Sequence, residues 1–228
     1  MQVDVTDAIR RGDVPGVRRF LKEKPGSART RIDGQRTLLH VATDWPGHFP
    51  NVRETISTLV EHGADLNAPF LGSHSETPLH WAASSDDLDA LDILLDLGAQ
   101  IEAPGGVIGG GTPLADAVAF GQWRAARRLV ERGARSTSWQ SAALGLMDRL
   151  GEQFAREKPA TDEVTNAFWC ACHGGQTEAA RYLLERGADV NWVGHDRLTP
   201  LDAAIRSGNE GLVSWLRSQG AISSQVRE

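Results

Sequence analysis

The sequence has few of the residues expected in a secreted or membrane-embedded protein. Of its 228 residues only 2 are Cys, Cys170 and Cys172. Two thiols do not make a disulfide framework, so a reducing cytoplasm is the expected location. No run of about 18 apolar residues occurs, and residues 1–7 lack the basic and apolar regions of a secretory signal. Neither a membrane span nor secretion is therefore predicted.

Lysine and positive charge are also scarce. The chain has 3 Lys against 21 Arg, and its formal net charge is −6. A protein that neutralises nucleic-acid phosphates needs an excess of positive charge, so no nucleic-acid partner is predicted. The sequence has neither a zinc-binding spacing nor a phosphate-binding glycine loop followed by Lys. Cys170 and Cys172 would point roughly 200° apart on a helix. Neither a metal nor a cofactor is predicted.

What the sequence does contain is a repeat. One phrase begins with Thr and runs to an Ala, at 37–42, 77–83, 112–117 and 199–204. A second phrase ends in Gly-Ala and follows at 59–64, 94–99, 129–134 and 183–188. Thr is suited to cap a helix, Pro to occupy its first turn, and Gly to end the helix that follows. The two phrases therefore predict a helix pair in each repeat.

The pattern Thr-Pro-Leu-His-x-Ala-Ala followed by Leu-Leu-x-x-Gly-Ala resembles the ankyrin repeat. The resemblance implies an all-α solenoid of helix–turn–helix units joined by short β-hairpin loops. Seven units in one domain, residues 1–228, are expected. Their approximate limits are 1–32, 33–73, 74–108, 109–135, 136–161 (degenerate), 162–195 and 196–228. The first and last units carry more polar residues, as solenoid caps do.

Helical phase predicts which side chains line the concave surface that the resemblance implies. Counted from the Thr of each unit, offsets two, five and six carry the apolar Leu and Ala, so offsets four, seven and eight point the other way. On this phase the surface carries Asp44, Trp45, Trp81, Asp116, Phe120, Cys170 and His173. His48 and Phe49 lie on an insertion beside it, and Phe70, Leu71, Val107 and Ile108 are expected at two hairpin tips. Trp139 and Trp169 are instead placed at the His position of the motif and are expected to pack inward.

The resemblance and the aromatic residues together favour a binding module. We expect a monomeric scaffold that recognises a protein partner through its concave surface and hairpin tips. The alternative is a small-molecule site or an enzyme, with Asp44, Asp116, His48 and His173 as its acid and base groups. A nucleophilic pair of Cys170 and His173 is a further alternative, although no third residue is available to orient it.

Overall fold

A computed structural model describes residues 4–156 and 158–224. They form two compact bodies, here called the N-terminal half (to Ala134) and the C-terminal half (from Arg135). Helices of the N-terminal half are α1 Val5–Arg11, α2 Val14–Glu23, α3 Leu38–Thr43, α4 Val52–Glu61, α5 Pro78–Ser84, α6 Leu88–Asp96, α7 Pro113–Ala119 and α8 Trp123–Glu131. Those of the C-terminal half are α9 Ser138–Leu144, α10 Met147–Arg156, α11 Thr161–His173, α12 Thr177–Leu184, α13 Pro200–Ser207 and α14 Glu210–Ser218. None of these helices is long and apolar enough to cross a membrane.

The helices pack as pairs that stack on the next pair. Each odd-numbered helix contacts the even-numbered helix that follows it, and α1, α3, α5 and α7 contact one another in succession. The repeated Leu and Ala residues supply this core: Leu39, Leu79 and Leu114 are buried, as are the Ala residues three and four positions later in α5. Small Ala side chains let the stacked helices approach closely. The predicted all-α repeat fold is confirmed.

The helix boundaries follow from the repeated Thr and Gly residues. Thr37, Thr77, Thr112 and Thr199 are the N-caps of α3, α5, α7 and α13. The Gly residues that close the second phrases have positive φ, as at Gly63 and Gly98, a conformation that glycine adopts without steric cost. Of the expected hairpins, only the loop before α3 forms strands in the described residues, β1 Arg31–Ile32 paired with β2 Arg36–Thr37.

In three places a side chain of one repeat bonds to the backbone just before the next repeat's first helix. His40 Nε2 lies 3.0 Å from the Glu76 carbonyl oxygen and His80 Nε2 lies 3.2 Å from that of Gly111. In both cases the carbonyl belongs to the residue just before the next helix-capping Thr. Trp169 takes the same role, because its Nε1 donates to the Leu198 carbonyl at 2.9 Å. The inward packing predicted for Trp169 is confirmed by its 5 % exposure.

The degenerate fifth and sixth repeats differ from the sequence prediction. Thr137 is the N-cap of α9, and its capping partner is Gln140. Gln140 therefore holds the His position that the sequence analysis gave to Trp139, which is half-buried one residue earlier. Helix α11 begins at Thr161, so Asn166 lies inside the helix and does not cap it. The register of the fifth repeat was misassigned because it lacks the Thr-Pro pair, whereas the sixth keeps its predicted register at Trp169 and only its helix begins earlier.

The basic helix α8 faces an acidic neighbour. Arg128 and Arg132 both pair with Asp92 of α6, and Arg132 also reaches Asp96 at 2.8 Å. Asp96 in turn accepts from Arg53 of α4 at 3.3 Å. Arg128 and Arg132 of α8 thus bridge two consecutive repeats.

The buried His40 predicts loss of stability in acid. Its Nδ1 accepts the Thr37 N–H at 3.2 Å, and burial lowers its pKa from 6.5 to about 4. Below about pH 6.5 the unfolded chain therefore binds a proton at His40, whereas the folded chain binds it only below about pH 4. We expect thermal unfolding to show about 3 kcal/mol less stability at pH 4 than at pH 7 from this residue. His40→Gln, which copies the Thr137–Gln140 cap, should reduce this loss of stability in acid. An equal loss in the variant would contradict the role of His40.

Candidate binding site in the N-terminal half

A pocket with aromatic walls lies on the N-terminal half. Its volume is about 250 Å³, and it is lined by Asp44, Trp45, Glu76, Trp81, Ser84, Ser85, Val107 and Phe120. Five of these residues, Asp44, Trp45, Trp81, Val107 and Phe120, were predicted from sequence as binding residues. The structure therefore brings three predicted aromatic rings together from three successive repeats. Trp45 is 80 % exposed and Phe120 is 48 % exposed, whereas Trp81 is half-buried.

Trp81 is fixed by its neighbours on several sides. Its Nε1 donates to Glu76 Oε2 at 2.8 Å. The His40 ring meets it edge-on with centroids 4.8 Å apart, and the Phe70 ring lies 5.6 Å away. Phe70 also stacks on His74 at 4.7 Å. Phe70, predicted at a hairpin tip, is therefore half-buried within an aromatic cluster, because the loop turns its ring back onto the first helix of the repeat.

A buried pair of carboxyl groups lies behind the pocket. Asp116 is fully buried, and its carboxyl group neighbours that of Glu76. Burial first, and then the neighbouring Glu76, raise the pKa of Asp116 to about 8. The Ile108 N–H donates to Asp116 Oδ1 at 3.3 Å. A Cβ on Gly106 would stand 2.6 Å from Asp116 Oδ2, so only glycine lets the α6–α7 loop (97–112) close over this group.

Asp116 therefore does not face the open surface, contrary to the phase prediction. Val41, Cys170 and Ala203, which share offset four, are buried too, whereas Trp81 at the same offset is half-buried and lines the pocket. At this offset the side chain points toward the loop that precedes the helix or into the helix stack. Offsets seven and eight carry the accessible residues, among them Trp45 and Phe120.

Asp44 is engaged by two arginines. Its Oδ2 lies 3.3 Å from Arg10 and 3.2 Å from Arg36. These bonds join α1 and the β-hairpin to the end of α3. The two guanidinium groups occupy Oδ2 of Asp44, so this oxygen is not available to take a proton from a substrate. The alternative role of Asp44 as an acid–base group is thus disfavoured.

The insertion after Trp45 is tied to the next repeat. The His48 N–H donates to Asp87 Oδ2 at 2.6 Å, and Asp87 Oδ1 accepts from the Ala90 N–H to cap α6. Asn51 Nδ2 binds the Gly12 carbonyl at 3.0 Å. His48 and Phe49 are not among the residues that line the pocket. The two predicted contact residues of the insertion therefore lie outside the cavity.

The predicted tips are partly accessible. Leu71, on the α4–α5 loop (62–77), is 51 % exposed, and on the α6–α7 loop Val107 is 44 % and Ile108 is 38 % exposed. Val107 borders the pocket. Of the four apolar tip residues predicted, Phe70 alone is turned inward.

The predicted pair of Cys170 and His173 is not a surface feature. Cys170 is 5 % exposed, and burial raises the pKa of its thiol to about 12, so it stays protonated and unreactive near neutral pH. His173 is half-buried in the C-terminal half and stacks on Trp169 with centroids 5.4 Å apart. Cys170 is therefore corrected to a core residue; α11 is covered on this side because both α9 and α13 pack against it.

Glu76 is the site residue that sequence reasoning missed. Its carbonyl accepts from His40 and Phe70, and its carboxylate accepts from Trp81. Its Oε2 also lies 2.9 Å from His74 Nδ1. Its position in the sequence could have indicated it. Glu76 immediately precedes the helix-capping Thr77, and the backbone carbonyl at this position is the one that the preceding repeat binds.

The comparison with known families decides the identity of the fold. The family model "Ankyrin repeats (3 copies)" matches residues 6–105 and 142–226. The chain belongs to the ankyrin repeat family. Within this ankyrin repeat chain the pocket lies inside the first matched segment, apart from the contribution of Val107 and Phe120. Among the described residues, no group of His, Cys, Asp and Glu is arranged to hold a metal ion.

Known ankyrin repeat proteins resemble this chain over most of its length. Human Rabankyrin-5 is 28 % identical over 83 % of the chain, which spans 14 % of that protein. Human Ankyrin repeat and SOCS box protein 16 is 32 % identical over 82 % of the chain, which spans 37 % of it. The crystal structure of the human ASB11 ankyrin repeat domain matches with a TM-score of 0.56 at 17 % identity, covering 94 % of this chain and 97 % of that one. The structural match supports the ankyrin fold.

Proposed function

We propose that this chain is a cytoplasmic, monomeric scaffold that binds a protein partner through the N-terminal half. Ankyrin repeats are generally protein-interaction scaffolds. The observation that carries the proposal is the grouping of exposed apolar side chains, Trp45, Val107 and Phe120, around one pocket. Apolar surface gathered in one place, and rimmed by polar side chains, marks a binding site more often than scattered apolar residues do.

The dimensions of the pocket favour a partner side chain over a free small molecule. Sites for drug-sized ligands enclose roughly 300–1,000 Å³, and this pocket holds about 250 Å³. The alternative of an acid–base catalytic site is also disfavoured. Asp44 is paired with two arginines, and Asp116 is buried beneath the α6–α7 loop. The accessible apolar rim, including Leu71 and Ile108, extends the contact surface beyond the pocket.

The test is binding of peptides selected from a random library displayed on phage. We expect Trp45→Ala with Phe120→Ala to raise the Kd of a selected peptide about thirtyfold, because exposed aromatic anchors carry most of an interface's binding energy. Titration calorimetry measures the Kd, and circular dichroism checks that the fold and Tm are kept.

The matched control is Leu97→Ala, which removes an apolar side chain that is 37 % exposed and does not line the pocket. This variant should bind the peptide as the parent chain does. Peptides that bind the double variant and the parent chain equally well would refute the proposed surface.

A further inference from the structure

The walls of the pocket are aromatic and acidic. Three rings, Trp45, Trp81 and Phe120, and two carboxylates, Asp44 and Glu76, line it, and no Lys or Arg does. Aromatic ring faces attract cations through their quadrupole, and the attraction grows when the cation loses water. A partly enclosed cavity with three rings therefore favours a positively charged group over an anion.

The charge that would face a bound cation comes from Glu76. Asp44 is already balanced by Arg10 and Arg36, at 3.3 and 3.2 Å. Glu76 has no Arg or Lys partner in the described residues; its neighbours are Trp81 Nε1, His74 Nδ1 and the Asp116 carboxyl group. Burial raises the pKa of Asp116 to about 8, so this group stays neutral near pH 7 and adds no negative charge beside Glu76.

Glu76 also holds the Trp81 ring in place before a ligand binds. Its carboxylate accepts the Trp81 indole N–H at 2.8 Å, while His40 and Phe70 lie against the indole. Trp81 therefore needs no reordering to receive a ligand, which lowers the entropic cost of binding. Trp45 lines the pocket from the solvent side, where it is 80 % exposed.

We propose that the pocket receives the ammonium group of a lysine side chain, unmodified or methylated, on the partner protein. The inference rests on the proposed function above, since it names the chemistry of the residue that the partner would insert. A volume of about 250 Å³ suits one long side chain. The carboxylate of Glu76 supplies charge complementarity, and the three rings surround the aliphatic stem and its cationic end.

The experiment needs no identified partner. Three probes are titrated into the full chain: acetyl-lysine methylamide (acetylated on its α-amino group), its trimethyllysine form, and the norleucine equivalent, which has the same stem without the charge. The indole N–H signals of Trp45 and Trp81 are followed by NMR. We expect the two cationic probes to bind about tenfold more tightly than the norleucine probe. Trp45→Ala should remove the difference, and Leu97→Ala should keep it.

Several results would overturn the inference. Equal binding of the norleucine probe would make the pocket an apolar site, and no binding of any probe would leave it without a side-chain ligand. Tetramethylammonium that binds as tightly as the trimethyllysine probe would assign the pocket to a free small cation. None of these results affects the phage-selected peptides, whose dependence on Trp45 and Phe120 tests the proposed function separately.

Glu76→Gln gives a second readout that keeps the shape of the side chain. It should weaken the cationic probes while leaving norleucine binding unchanged, because it removes the charge alone. A loss shared by all three probes would mean that Glu76 acts by holding Trp81, and would contradict its role as the charge partner.

Discussion

Replacing Gly174 with alanine is expected to destabilise the C-terminal half by about 3 kcal/mol. Gly174 caps α11, and an added Cβ would stand 1.9 Å from the Ala143 carbonyl oxygen of α9. The obstacle is backbone, so a rotamer change gives no relief. Its φ of −80° suits any residue, which means that close helix packing alone demands glycine here. Urea unfolding followed by Trp fluorescence measures the loss.

Gly151→Ala is the matched control for this prediction. Gly151 lies inside α10, and a Cβ there would meet nothing within 4 Å. Alanine should stabilise that helix by about 0.5–1 kcal/mol, because glycine loses more backbone entropy on folding. Hydrogen exchange resolved along the chain should place both effects in the C-terminal half. A Gly174→Ala chain as stable as the parent would contradict the close approach of α9 and α11.

Asp116→Asn is expected to stabilise the N-terminal half, and to do so more as the pH rises. The pKa of Asp116 is raised from 3.8 to about 8, so between these values the folded chain holds a proton that the unfolded chain has lost. Wild-type stability therefore falls as pH rises from about 4 to about 8. Asparagine is always neutral, and the variant should gain about 5 kcal/mol more at pH 8.5 than at pH 4.

Two further variants distinguish the causes of this shift. Glu76→Gln should reduce the pH dependence only in part, since burial is the larger cause and Glu76 the smaller. Asp89→Asn changes an exposed Asp in the first turn of α6 and should leave the pH dependence of the parent chain intact. Thermal unfolding across the pH range is the measurement. If the stability of Asp116→Asn and of the parent chain depended on pH in the same way, the protonation of Asp116 in the folded chain would be disproved.

The fold was predictable because its signals are local and repeated. A Thr that caps a helix and a Gly with positive φ act within a few residues, so Thr77 and Gly98 mark boundaries without knowledge of the tertiary structure. The same locality made the rings at 45, 81 and 120 predictable as neighbours: Trp45 and Phe120 lie at offset eight, and Trp81, at offset four, is one helical turn away on the same face. The prediction is weakest where the Thr-Pro pair is missing, as at Thr137.

The rest of the site depended on loops, which helical phase does not describe. The α6–α7 loop covers Asp116 because Gly106 permits the approach, and the α4–α5 loop turns Phe70 inward onto Trp81. The carboxyl group of Glu76 interacts with that of Asp116, which belongs to the next repeat. Such pairings join residues about one repeat apart, and a single sequence gives no sign of them.

The bonds between repeats have a mechanical consequence. His40 to Glu76, His80 to Gly111 and Asn67 to Gln100 span 36, 31 and 33 residues respectively, and each therefore reaches no further than the adjacent repeat. Because these three bonds join adjacent repeats only, a force that detaches a terminal helix pair leaves the bonds between the inner repeats intact. Stretched in an optical trap, the N-terminal half should lengthen in successive steps, each the size of one repeat.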